Sequence, residues 1–183
     1  MDENYKRKMI ATTAAAYFYK MGITTVSMDD IARGCSVSKR TIYTFFGNKR
    51  ELIQEILTNN LDEFILELER IKKESLDAVS ELFCFFDFLG NSYSKLSFSF
   101  LNDLKKMNTE TTDVQTLIER FLSENIKRGE KEGIYKQFKS SDNPVELFSR
   151  ILKNLFSEQH IHSADIKTVA ELFSLYLVSH KEI

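Results

Sequence analysis

Ser27-Met-Asp-Asp30-Ile-Ala-Arg-Gly34-Cys-Ser-Val-Ser38-Lys-Arg-Thr41-Ile-Tyr-Thr-Phe45-Phe46 is the stretch whose reading decides the fold. Ser27 followed three residues later by Asp30 has the form of a capping box, in which the hydroxyl closes a free amide of the first turn and the carboxylate reaches back. The apolar pair Met28 and Ile31 then opens a short helix expected to run to about Gly34. Ser38 caps another start, with Ile42, Tyr43, Phe45 and Phe46 in the next turns, which predicts a brief helix over about Lys39 to Phe45. Between the two, Cys35-Ser-Val-Ser38 has the length of the turn in a helix-turn-helix unit, a pair that presents its second helix to a groove.

The flanks are helical as well. Upstream, Ile10, Ala14, Tyr17, Phe18 and Met21 form one stripe of period 3.6, closed by Gly22, and predict a helix over about Asn4 to Met21. Downstream, Asn48 with Glu51 repeats the capping logic, and Leu57, Leu61, Phe64, Leu68 and Ile71 carry a long fourth helix. Farther on, the stripes Val79, Leu82, Phe83, Phe86 and Val114, Leu117, Ile118, Phe121 are separated by polar breaks near Gly90-Asn91 and residues 108–112. Gly133 ends another helix, Asn143-Pro144-Val-Glu146 opens one expected to reach about Glu158, and a last stripe from Ile166 to Leu177 predicts a helix over about 164–180. The fold class is all-α, about nine helices: a three-helix head over 1–50 and a helical bundle over 51–183.

Composition agrees. The 183 residues include 1 Pro and 6 Gly, too few for the turns of an all-β chain, and 43% are hydrophobic, too many for a disordered one. The longest apolar run, Ala14 to Tyr19, is far below the roughly 20 residues that cross a bilayer, so a cytoplasmic protein without a membrane partner is expected. Cys35 and Cys84 have no metal-ligand spacing and read as small buried hydrophobes. Nine basic and four acidic side chains fall in residues 1–50, sixteen and twenty-three in the rest. A basic head on an acidic body points to a polyanion at the head.

The segment Ile31-Ala-Arg-Gly-Cys-Ser-Val37-Ser-Lys-Arg-Thr41-Ile-Tyr43-Thr-Phe-Phe46-Gly-Asn-Lys49-Arg-Glu-Leu52 resembles the DNA-binding head of the TetR family of transcriptional regulators, with Ile-Ala, Val-Ser, Thr-x-Tyr, Phe and Lys-x-x-Leu in the family's register. The likeness is specific over about Arg7 to Leu52. One departure is Ser36, where the family usually has the glycine that takes positive φ without a Cβ clash.

The DNA-contacting set is expected to be Ser27, Met28, Ser38, Lys39, Arg40, Thr41, Tyr43, Thr44 and Lys49. Arg40 is the candidate base reader, because its planar fork donates twice to guanine O6 and N7, and Lys39 reaches a base or a phosphate. The resemblance places Thr41 and Tyr43 on phosphates. Lys49 lies in the first turn of the fourth helix, where free amides favour an anion. Ser27 and Met28 begin the preceding helix in the same way, and Lys6 and Arg7 are expected to add flexible backbone contacts.

The body offers no nucleophile, acid–base pair or metal cluster; no catalytic residue or cofactor is expected. His160 and His162 sit in an expected loop, and with His180 read as exposed. Glu130 and Glu132 read as solvated charge. Phenylalanines are abundant, and two readings stand side by side: plain core packing, or an apolar cavity for a small effector lined by Phe64, Phe83, Phe86, Tyr93, Phe100 and Phe121, with Tyr93, Asn102 or Gln115 as polar anchors. The resemblance implies the cavity, and it implies a homodimer through the last two helices, with Phe148, Ile151, Leu155, Val169, Phe173, Tyr176 and Leu177 at the interface. The expected function is a sequence-specific DNA-binding regulator, a repressor released from a palindromic operator by a small effector. The alternatives are a helical ligand-binding or protein-interaction module that does not bind DNA, and an enzyme of unrecognised type.

Overall fold

A computed structural model describes residues 2–107, 112–139, 142–155 and 163–178. Among these the chain forms nine helices: α1 Glu3–Met21, α2 Met28–Gly34, α3 Lys39–Phe45, α4 Lys49–Glu74, α5 Ala78–Tyr93, α6 Phe98–Lys106, α7 Thr112–Lys131, α8 Pro144–Leu155 and α9 Ser163–Leu177. The only β pairing among them is an isolated bridge between Tyr135 and Val178. No described helix is long and apolar enough to cross a membrane. His160, His162 and His180 lie outside the described residues, as does the expected end of α8 near Glu158.

Two compact units are formed, Met1–Phe64 with Lys95–Thr109, and Ile65–Ser94 with Glu110–Ile183. The packing unit around the head thus extends past residue 50, because it takes in the first part of α4 and recruits α6. Its core gathers the stripe of α1 (Ile10, Ala14, Phe18) with Ile31, Ile42, Phe46, Leu52, Ile56 and Phe100. The Phe100 ring meets the Tyr19 ring edge-on at 5.0 Å. Where α1 ends, Gly22 takes φ +89 and packs directly against the Ser99 side chain at the start of α6, a place that no Cβ would fit.

In the second unit α5 packs against both α7 and α9, and α8 packs on α7. Phe85 stacks on Phe121, and the Phe86 ring meets Phe148 and Phe173 edge-on. Gly129 lets the Tyr135 ring pack directly against α7, and Gly133, at φ +71, turns the chain out of that helix.

Candidate nucleic-acid interface

Local chemistry builds the two short helices. The Ser27 Oγ accepts from the Asp30 amide at 3.1 Å, while the Asp30 carboxylate accepts from the Ser27 amide at 2.9 Å, closing the capping box at the start of α2. The Ser27 hydroxyl and amide, together with the Arg33 guanidinium, hold the Asp30 carboxyl down to about 2. At α3 the Ser38 Oγ accepts from the Thr41 amide at 3.0 Å and lies 2.8 Å from the Thr41 hydroxyl. Caps of this kind each contribute about 1 kcal/mol to short helices. Ser36 between them stands at φ +54, the one described non-glycine residue with positive φ, at a cost of about 1 kcal/mol that a glycine would avoid.

What these caps display is the first turn of α3. Ser38, Lys39, Arg40, Tyr43 and Thr44 are exposed and Thr41 is half-buried, whereas Ile42 faces the core. The Thr44 hydroxyl donates to the Arg40 carbonyl at 2.9 Å. Tyr43 is 43% exposed, so its ring stands out of the core rather than in it. Among the described residues no carboxylate pairs with the Arg40 guanidinium, while Lys39 is paired with Asp29 at 2.8 Å.

Three expected contacts need correction. Met28 is only 7% exposed, and its side chain belongs to the core. Lys49 does not face outward as a free cation. Its ammonium donates to the carbonyls of Ile23 and Val26 in the loop between α1 and α2 and lies 5.6 Å over the Phe18 ring, and the burial this requires lowers its pKa. Arg7 is equally occupied. It grips the Glu55 carboxylate, donates to the Phe45 carbonyl at 2.8 Å and lies 4.5 Å over the Phe46 ring, so it pins the end of α3 to α1 and α4 instead of supplying a flexible contact.

The same loop is held from α6. The buried Asp103 carboxylate accepts from the Thr24 amide at 2.8 Å and from its hydroxyl at 3.0 Å. Burial pushes this carboxyl up, but the Thr24 bonds prevail and hold it below the usual range. The Ser97 amide donates to the Tyr19 carbonyl at 2.7 Å. Thr24 and Asp103 lie 79 positions apart and carry no sequence signal for each other.

The expected effector residues divide between the units: Phe64, Phe100 and Asn102 fall in the first, and Phe83, Phe86, Tyr93 and Phe121 in the second. Phe100 is a correction, since it belongs to the core under α1. Phe86 and Phe121 are buried against other rings, Phe83 and Tyr93 are half-buried, and burial raises the Tyr93 phenol. Gln115, on the exposed side of α7, donates to Glu119. A cavity of about 550 Å³ lies in the first unit, lined by Tyr17, Met21, Thr25, Val26, Asp30, Arg33 and Gly34.

Of the expected interface residues, Phe148, Phe173 and Leu177 are buried within the second unit. They face inward because Phe148 and Phe173 meet Phe86 of α5, so they cannot also form an outer face. Ile151, Leu155 and Val169 are half-buried, Tyr176 is exposed, and Leu172 and Leu175 stand 61% and 63% exposed on α9. Cys84 is exposed, not buried, and Cys35 half-buried. Among the described residues no three His, Cys, Asp or Glu side chains converge as metal ligands.

Residues 10–56 match the family model of the bacterial regulatory proteins of the tetR family. The chain is 26% identical to the HTH-type transcriptional regulator YhgD of Bacillus subtilis (strain 168), over 94% of this chain and 95% of that one. Its fold is similar to the crystal structure of a TetR-family transcriptional regulator from Agrobacterium tumefaciens, with TM-score 0.77 and 13% identity, covering 97% of this chain and all of the other. It is also similar to a transcriptional regulator from Saccharomonospora viridis solved in complex with choline, with TM-score 0.69 and 16% identity, over 97% and 100% of the two chains.

Proposed function

We propose that the chain, whose residues 10–56 match the family model of the tetR family of bacterial regulatory proteins, is a DNA-binding transcriptional regulator that acts in the cytoplasm as a homodimeric repressor. It is released from a near-palindromic operator when a small, mainly apolar effector binds the body. One observation carries the reading: the first turn of α3 is capped, exposed and cationic, and its Arg40 guanidinium has no carboxylate pair among the described residues. That is the arrangement a helix needs in order to read base edges. Tyr43 adds an exposed hydroxyl suited to a phosphate oxygen, and Ser27, Ser38, Thr41 and Thr44 offer theirs by giving up bonds made within the head.

A single head offers too few contacts for tight binding. Two heads related by a two-fold axis, with centres about 34–36 Å apart or one turn farther, read successive major grooves on one side of the duplex. Leu172, Leu175 and Tyr176, exposed on α9, with Ile151 and Leu155 of α8, supply the apolar face for the second copy. The effector's place is the aromatic second unit, where Phe83 and Tyr93 are half-buried; the related protein that holds choline supports a body able to take a small molecule. Release follows if the effector binds more tightly to the dimer whose heads are spaced away from the operator.

The test is a salt titration of binding to duplex DNA, with duplexes recovered from a random pool as the specific target. Phosphate contacts predict a log–log slope of about −0.9 per phosphate neutralised. Binding insensitive to salt, or none, removes the DNA reading and leaves a ligand-binding bundle.

A further inference from the structure

The helix-turn-helix carries three cations, Arg33, Lys39 and Arg40, in unequal states. Arg33 is drawn onto Asp30, its neighbour one turn back on α2. Lys39, the first residue of α3, has its ammonium 2.8 Å from one oxygen of Asp29 and 3.0 Å from the other, a contact that raises the lysine pKa. Asp29 sits in the first turn of α2, so this pair bridges the starts of the two short helices. Both partners are more than half exposed, which leaves the bridge open to competition from an incoming anion. Arg40, next in sequence, is without such a partner among the described residues.

A carboxylate in that position does for Lys39 what a phosphate oxygen would do: it accepts from the ammonium and cancels its charge. It also carries a negative charge that meets the phosphates of an approaching duplex. We propose that Asp29 is an internal competitor for the DNA backbone, holding Lys39 in the free head and yielding it on binding, so that affinity for duplex of any sequence is lowered while Arg40 stays available to select bases. The proposal rests on the assignment of α3 to DNA made above.

The experiment uses the full chain, a random-sequence duplex of 30 base pairs and four proteins: wild type, D29N, K39A and the double variant. Melting curves first establish that each is folded, and D29S replaces D29N if the amide unsettles α2. An exposed pair of this kind corresponds to a two- to fivefold effect, at 1.4 kcal/mol per tenfold. D29N is therefore expected to tighten binding by about two- to fivefold per head with little change in the salt slope, since Lys39 meets a phosphate in both complexes, whereas K39A is expected to lower the slope by about one per head. In the K39A background the same substitution is expected to lose most of that gain. A D29N protein that binds no better than wild type, or that gains equally with and without Lys39, overturns the competitor role. If K39A alone leaves affinity unchanged, the assignment of Lys39 to DNA fails, and the proposal falls with it.

Discussion

On α3, Arg40 and Tyr43 stand in solvent and Thr44 bonds only its own helix, whereas the second unit has drawn comparable groups inside. There Asn125, with no exposed surface, donates to the Ala78 carbonyl at 2.8 Å and to the buried Glu81 at 3.2 Å, and the Tyr135 phenol donates to the same carbonyl at 3.0 Å. Arg128 grips Glu81 and Glu132 and donates to the carbonyls of Ser75 and Leu76, while Glu132 accepts from the Ala78 amide. Every member has its partners within the chain, so the corner between α4 and α5 is fastened to α7. The contrast separates two uses of polar residues. Buried groups must be paired to be tolerated, and a network that is fully paired has nothing left to offer a partner; groups that remain open at a surface are the ones that can bind.

Three substitutions sharpen this contrast. Arg128→Ala removes the charge partner of the buried Glu81 carboxylate and the donors to two carbonyls, and should cost about 2–3 kcal/mol in urea unfolding while leaving the salt slope of DNA binding unchanged. Lys49→Ala frees the carbonyls of Ile23 and Val26 and should cost about 1–2 kcal/mol of stability, again with an unaltered salt slope, because its ammonium is spent inside the head. A slope that falls by about one per head would return Lys49 to the phosphate contacts first expected of it. The smallest effect belongs to Ser36→Gly. Relief of positive φ, less the added freedom of the unfolded chain, should raise stability by about 0.5 kcal/mol, seen as a higher melting temperature.

What was legible in the sequence follows the range of the interaction. The caps at Ser27, Ser38 and Asn48 act over three residues, so each could be read from spacing alone, and each is present. At Ser36 only the resemblance, with its usual glycine, points to positive φ, and it leaves open a strained or a differently shaped turn; the backbone takes the strained form. Contacts across the chain were not readable. Lys49 meets carbonyls 23 and 26 positions away, and nothing in its surroundings distinguishes a cation bound inward from one facing DNA. Periodicity shows that Phe148 shares a stripe with Leu152, but not whether the stripe turns inward or outward, and the resemblance points to the helix pair without separating its two faces. Glu132, read as solvated charge, holds the Ala78 amide 54 positions away. Nothing local places Phe100 in the head, because α6 follows α5 in sequence yet packs with the first unit.

The claim that α3 reads bases through Arg40 is tested most directly by comparing Arg40→Ala with wild type on two targets at one salt concentration, a duplex recovered from a random pool and a duplex of random sequence. Loss of a bidentate contact to guanine, about 1–3 kcal/mol per head, predicts a large fall in affinity for the recovered duplex and a much smaller one for random DNA. Equal losses on both would reduce Arg40 to a phosphate contact and contradict the account.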